Sequence, residues 1–164
     1  MKGTKNWPVV ILVAVVALVG VIALIGGFSA ISANEEDELS VYSFTGTHEL
    51  FEIPNGIVVI TDDMEVFDGG DLKIINPAAF SDIVFYSAKY YQIKDGEKRT
   101  VLFNGVEDMT GGTLHVEGDL GRISSESVLS DDIEGTLWFE LKTTDMSGKE
   151  NTYQIPLTLE KVTG

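Results

Sequence analysis

IVFYSAKYYQIKDGEKRTVLFNGV, residues Ile83 to Val106, carries the strongest local structural signal in the chain. Two runs rich in aromatic and β-branched residues flank Asp95-Gly96. A two-residue type I′ hairpin turn needs positive φ at both central positions, which Asp and Gly tolerate best. A turn there fixes the register: Lys94 faces Glu97, Tyr91 faces Thr100 and Tyr90 faces Val101, giving one opposite-charge pair and one aromatic to β-branched pair. Phe85, Tyr86, Tyr90 and Tyr91 fall on both faces of the first strand, so at least half of them pack inside.

A second hairpin reads from the C-terminal side, as GTLWFELKTTD, a turn around Met146-Ser147-Gly148, and ENTYQIPLTLEK. Leu137, Phe139 and Leu141 alternate with Trp138, Glu140 and Lys142, as a half-buried strand requires. Tyr153, Ile155, Leu157 and Leu159 share one face of the partner strand. Pro156, without an N–H, marks an edge strand or a bulge.

Between the amino-terminal segment and these hairpins the pattern is of short apolar runs separated by Gly, Asp, Asn and Pro. Leu50 to Ile53 and Ile57 to Thr61 flank Pro54-Asn55-Gly56, read as a tight turn; Leu72 to Ile75 and Thr113 to Val116 read as short strands. Asn76-Pro77-Ala78-Ala79-Phe80 reads as one helical turn capped by Asn76. Ser124 to Glu134 is polar and ambiguous. With no stretch of period 3.6 after the first 33 residues, the expected fold is all-β: an Ig-like or related antiparallel β-sandwich of eight or nine strands over residues 41–164.

The chain has 164 residues, and all 26 acidic side chains lie in residues 34–164 with nine of the 11 basic ones, a regional balance of −17. Such a domain repels phosphate backbones, so nucleic acid is excluded as an expected partner and anionic headgroups are disfavoured. Cysteine is absent. That removes disulfides, thiolate metal sites and cysteine nucleophiles, and the fold must stand on packing. An exported domain with neither disulfides nor an Asn-x-Ser/Thr acceptor points toward a prokaryotic surface.

WPVVILVAVVALVGVIALIGGF, Trp7 to Phe28, is 22 residues without a charge. As a helix it reaches roughly 33 Å, enough to cross a hydrocarbon core of about 30 Å. A secretory h-region needs only about 7 to 15 residues, so retention is favoured over cleavage near Ser32 or Ala33. Lys2 and Lys5 on one side and Glu35, Glu36, Asp37 and Glu38 on the other orient it amino terminus inward. The expected organisation is a cytoplasmic tail (1–6), a transmembrane signal-anchor (7–33) that meets the lipid bilayer through residues 7–28, an acidic stalk (34–40) and the outer domain. Ala23 and Gly27 form one small-xxx-small pair, which alone does not specify a helix dimer.

Motifs that carry chemistry are sparse. His48 and His115 sit among apolar neighbours with no metal-ligand spacing, and no serine occupies a nucleophile elbow. Asp62, Asp63, Glu65, Asp68 and Asp71 gather hard oxygen ligands without EF-hand spacing, leaving calcium open beside an ordinary solvated loop; Asp131, Asp132 and Glu134 pose a weaker version of the same question. Tyr86, Tyr90, Tyr91 and Trp138 are the rings that would stack on sugars or anchor a protein partner if exposed, with core packing as the default. Gly69-Gly70 and Gly111-Gly112 lie in turns and do not form phosphate loops. No catalytic, cofactor or metal residue is assigned. The expectation is a non-enzymatic, single-pass plasma-membrane protein whose outer domain serves as a surface binding or structural module. An accessory subunit of a larger membrane complex and a carbohydrate-binding module are the alternatives, and the ligand, a surface protein or a glycan, is unidentified.

Overall fold

The computed structural model describes residues 39–129 and 136–163. Eleven strands run in the order β1 (Ser40–Thr47), β2 (Phe51–Ile60), β3 (Glu65–Asp68), β4 (Asp71–Ile74), β5 (Ile83–Lys94), β6 (Glu97–Glu107), β7 (Gly118–Asp119), β8 (Arg122–Ser125), β9 (Leu137–Asp145), β10 (Glu150–Pro156) and β11 (Thr158–Thr163). They form two antiparallel sheets. One has seven strands, ordered β11-β1-β2-β3-β8, with β4 pairing β2 and β7 pairing β4; the other has four, ordered β10-β9-β5-β6. The helical content among the described residues is one 3₁₀ turn, Pro77–Phe80. The all-β, two-sheet architecture is as the sequence predicts, with more strands because short pieces such as β7 carry little sequence signal.

The core lies between the sheets. Phe44, Phe51, Ile53, Val58 and Phe67 come from one sheet and Tyr90, Leu137, Phe139 and Leu141 from the other. An aromatic cluster centres on Tyr90, whose ring lies 5.7 Å from Phe44, 5.0 Å from Phe67 and 5.0 Å from Phe139. Edge-on pairs of this kind add about 0.5–1.5 kcal/mol each beyond area burial. The Tyr90 hydroxyl donates to the Gly69 carbonyl at 2.6 Å, tying the four-stranded sheet to the β3–β4 turn of the other.

The β5–β6 turn forms at Asp95-Gly96, with φ of 52° and 82°. Lys94 faces Glu97 and Tyr91 faces Thr100, as predicted, but Tyr90 faces Leu102. Val101 is the extra residue of a β-bulge. A bulge sets two neighbouring residues against one partner. Val101 and Leu102 therefore both reach the core, and Phe103 is left 60 % exposed on the outside.

Pro54-Asn55-Gly56 is not a turn. β2 runs straight through it, with Phe44 opposite Gly56 and Gly46 opposite Ile53, so the extra residue is absorbed as a bulge. The reason is tertiary: Gly56 lies beneath the Phe44 ring where a Cβ would collide, and the Asn55 side chain bonds Asp71, donating Nδ2 to Oδ2 and accepting the Asp71 amide at 2.9 Å.

Other expectations are corrected in the same way. Thr113 to Val116 is not a strand; the Leu114 amide donates to Ile83 at 2.7 Å and Val116 drops into the core. Asn76 precedes the Pro77–Phe80 turn but makes no side-chain cap bond. ENTYQIPLTLEK splits at Leu157: β10 pairs β9 in one sheet, and β11 pairs β1 in the other. The apolar alternation survives the crossing because Ile155 and Leu157 face the same core. Pro156 lies on β10, the outer strand of its sheet, where the missing N–H costs little.

In the last hairpin the Asp145 carboxylate accepts the Ser147 and Lys149 amides, at 2.8 and 3.0 Å, and Gly148 takes φ of 83°. Part of the ambiguous stretch becomes β8, whereas residues 130–135, including Asp131, Asp132 and Glu134, lie outside the described residues. So does the 7–33 segment. Among the described residues no helix is long and apolar enough to cross a membrane.

Candidate binding face of the four-stranded sheet

The sequence-predicted candidates are not brought together into one site. His48 closes the β1–β2 turn: its Nδ1 accepts the Leu50 amide at 3.2 Å, and its ring stacks on Phe51 at 5.0 Å and meets Tyr153 edge-on at 5.3 Å. His115 is exposed and pairs with Glu117 at 3.0 Å. Both histidines have local structural partners.

The acidic run Asp62 to Asp71 is also divided among different tasks. Glu65 and Asp68 lie in strand β3, not in a loop, because Val66 and Phe67 between them are buried. Glu65 Oε2 accepts the Val128 and Leu129 amides at 2.6 Å, Asp68 pairs with Arg122, and Asp71 holds Asn55. Among the described residues no three His, Cys, Asp or Glu side chains converge on a cation-sized space.

What register does bring together is the outer face of the four-stranded sheet. Tyr91 on β5 lies opposite Trp138 on β9, and the two rings are nearly parallel at 6.5 Å. Lys98, from β6, places Nζ 4.4 Å from the centre of the Tyr91 ring. The register set by the Asp95-Gly96 turn places Lys98 diagonal to Tyr91 on one face, within reach of a long side chain, although the sequence reading did not single the pair out. Tyr91 is itself 2 % exposed and Trp138 is half-buried, so the pair is a covered ridge and not an open platform. Phe103, opposite Lys89, is the large exposed ring.

Next to the rings sits a charged network. Glu140 is 6 % exposed, accepts a hydrogen bond from Gln154 Nε2, and pairs with Lys89 at 3.3 Å and Lys142 at 3.9 Å. Burial by itself pushes the Glu140 carboxyl up, but Gln154 and the two lysines more than offset it, so it lies below the usual glutamate range. A carboxyl lowered by folding stabilises the fold above its unfolded pKa, and that contribution is lost as pH falls through the folded value. Glu140→Gln is therefore expected to be less stable than the parent at neutral pH, where it leaves Lys89 without its counter-charge, and to converge with it on acidification below about pH 4. Urea midpoints between neutral pH and pH 3 check this. A gap that stays constant over the range would contradict it.

Little of the domain's negative charge lies on the strands: those of the seven-stranded sheet carry six acidic and three basic residues, and most of the excess is in the segments between and before the strands. β5, β6, β9 and β10 carry Lys89, Lys94, Lys98, Arg99 and Lys142 against Glu97, Glu107, Glu140, Asp145 and Glu150. These four strands are neutral, so the excess of 17 negative charges in residues 34–164 belongs to the rest. A neutral face bearing an exposed Phe is where an acidic domain can approach a partner without first overcoming its own field.

No protein-family model, no curated protein and no solved structure matches the chain.

Proposed function

We propose that the chain is a membrane-anchored surface module with no catalytic role, whose outer domain is an Ig-related β-sandwich that binds through protein contacts. The observation that carries this reading is the split in the sequence: 22 uncharged residues from Trp7 to Phe28, then an acidic region of two packed sheets without a cysteine. An apolar run of that length fits a bilayer, and the charges flanking it set the acidic domain outside. The Ig-related element rests on the order β10-β9-β5-β6, in which two hairpins dock through their inner strands as in sandwich folds of that class.

Tethered to the plasma membrane by residues 7–28, the domain would present its neutral sheet face to other surface proteins. A glycan platform is the weaker reading, because Lys98 covers Tyr91 and the Tyr91–Trp138 pair is mostly buried. An accessory role in a larger membrane complex is compatible with the same anchor. The amino terminus of the mature protein in the membrane fraction provides the test. A protein that retains residues 7–28 and resists alkaline extraction supports the reading; native protein free in the medium and beginning near Asn34 overturns it.

A further inference from the structure

β6 is an outer strand of the four-stranded sheet, and at 11 residues it is much longer than β8 at the corresponding position of the other sheet, which has four. The remaining outer strands are blunted. β10 carries Pro156, β7 has two residues, and the β1–β11 register shifts between Val41 and Tyr42. β6 has its own bulge at Val101, but from Leu102 to Glu107 its ladder with β5 is regular, and among the described strands nothing pairs with its other side. An outer strand with a regular, nearly uncharged stretch is a template for another strand.

The side chains along β6 indicate which strand. The bulge resets the alternation, so Lys98, Thr100, Phe103, Gly105 and Glu107 share the outer face with Tyr91, Lys89, Ser87 and Phe85, their neighbours or partners on β5. Lys98, Thr100, Gly105 and Glu107 are exposed, as is Phe103. Positive charge lies at the start of the strand, negative charge at its end, and the aromatic ring near the middle. Reversing the strand about Phe103, with Val101 again the unpaired residue of the bulge, sets Lys98 of one copy opposite Glu107 of the other, twice, with Thr100 against the small Gly105 and the two Phe103 rings adjacent. We propose that β6 pairs antiparallel with β6 of a second copy of this chain, joining two four-stranded sheets into one of eight strands.

The geometry also fixes how the two copies are oriented. Phe44 on β1 packs on Tyr90, and beyond the Thr47 end of β1, His48 meets Tyr153, which pairs with Leu141 and through it with Ala88. The Ser40 end of β1 is therefore the Asp95-Gly96 end of the β5–β6 hairpin. Antiparallel pairing sends the two Ser40 ends in opposite directions. On the anchored reading above, on which this step rests, the pair joins two opposed membranes and not neighbours in one. An interface of one strand pair is small and weak alone, and many such pairs across a gap act together.

The test uses the full chain, which is free of cysteine. Phe103→Cys is expected to form a disulfide-linked dimer under mild oxidation, whereas Ile123→Cys, on β8 of the other sheet, is not. Glu107→Lys should lower the dimer fraction about tenfold, since it places like charges together at both symmetric positions, and adding Lys98→Glu should restore it. Far-UV circular dichroism shows that each variant is folded. Equal linking at 103 and 123, or no rescue by the charge swap, overturns the pairing, and the former would mean random collision. Two vesicle populations bearing the full chain should cluster, and the Glu107→Lys protein should not. Linking at 103 without clustering overturns the opposed-membrane geometry and places the fault in the anchored reading, not in the strand pairing.

Discussion

Gly56→Ala is expected to destabilise the domain by about 3 kcal/mol, at the upper end of what over-packing costs, and to lower Tm by about 10 °C. A Cβ at this position would stand well under 3.0 Å from Cε2, Cζ and Cδ2 of Phe44. The ring has nowhere to go: Phe44 is 1 % exposed, stacks on Phe67 at 5.2 Å and meets Tyr90 at 5.7 Å. Interiors at crystal-like density transmit such a displacement to their neighbours and do not absorb it locally. Gly46→Ala offers a contrast. Its Cβ would meet Leu157 Cδ2 at 2.5 Å and Ile155 Cδ1 at 2.8 Å, the far ends of flexible side chains that can rotate aside.

Shortening the obstructing ring should rescue the larger defect. Phe44→Leu with Gly56→Ala should be more stable than the sum of the single changes by at least about 1 kcal/mol, as expected of residues in direct collision. Thermal and urea unfolding of the four proteins completes the cycle. Additive losses would mean that the Phe44 ring is not what excludes a side chain at Gly56.

Tyr90 is the second position where a single change should be severe. Tyr90→Ala removes the ring shared by Phe44, Phe67 and Phe139 and should cost about 3–5 kcal/mol. Tyr90→Phe keeps the ring but leaves the Gly69 carbonyl without its 2.6 Å donor, a loss of about 1–3 kcal/mol.

The phenol also gives this residue a distinctive pH signature. Burial, with a smaller contribution from the nearby Asp68 carboxylate, raises its pKa well above the ordinary tyrosine value. A raised pKa in the folded state means that the stabilisation is complete below the unfolded value, about 10, and is lost as pH climbs from there toward the folded value. The parent should therefore lose stability above about pH 10 more steeply than Tyr90→Phe does. Parallel alkaline slopes for the two proteins would show that the hydroxyl is not held in the core.

These two positions also show where sequence reading succeeds and where it stops. The Asp95-Gly96 turn was legible because its chemistry is local: two residues able to take positive φ between two β-rich runs. The pairing it implied held as far as Tyr91 and Thr100 and then failed at Val101, where three apolar residues in a row gave no sign of which would be the extra one. Pro54-Asn55-Gly56 misled for the opposite reason. Its turn chemistry is genuine, but the demand of Phe44 for an adjacent surface without a Cβ outweighed it.

The acidic run hid strand β3 because charge dominated its composition, and its two apolar residues, Val66 and Phe67, are adjacent and both buried, so no alternation marked a strand. The neutral face was further out of reach. Lys98 reaches Tyr91 from β6 to β5 and Lys89 reaches Glu140 from β5 to β9, relations that exist only once those strands pair, whereas Lys142 lies two residues from Glu140 on β9 itself.

Protease treatment of intact cells, followed by detection of fragments from both ends of the chain, bears most directly on the claim that an acidic β-sandwich is held outside a membrane. The account predicts that residues 39–163 become accessible, with cuts concentrated in exposed turns such as Asp95-Gly96, while Met1 to Phe28 stays protected and membrane-bound. Full protection of the domain in intact cells, with digestion only after lysis, would contradict it.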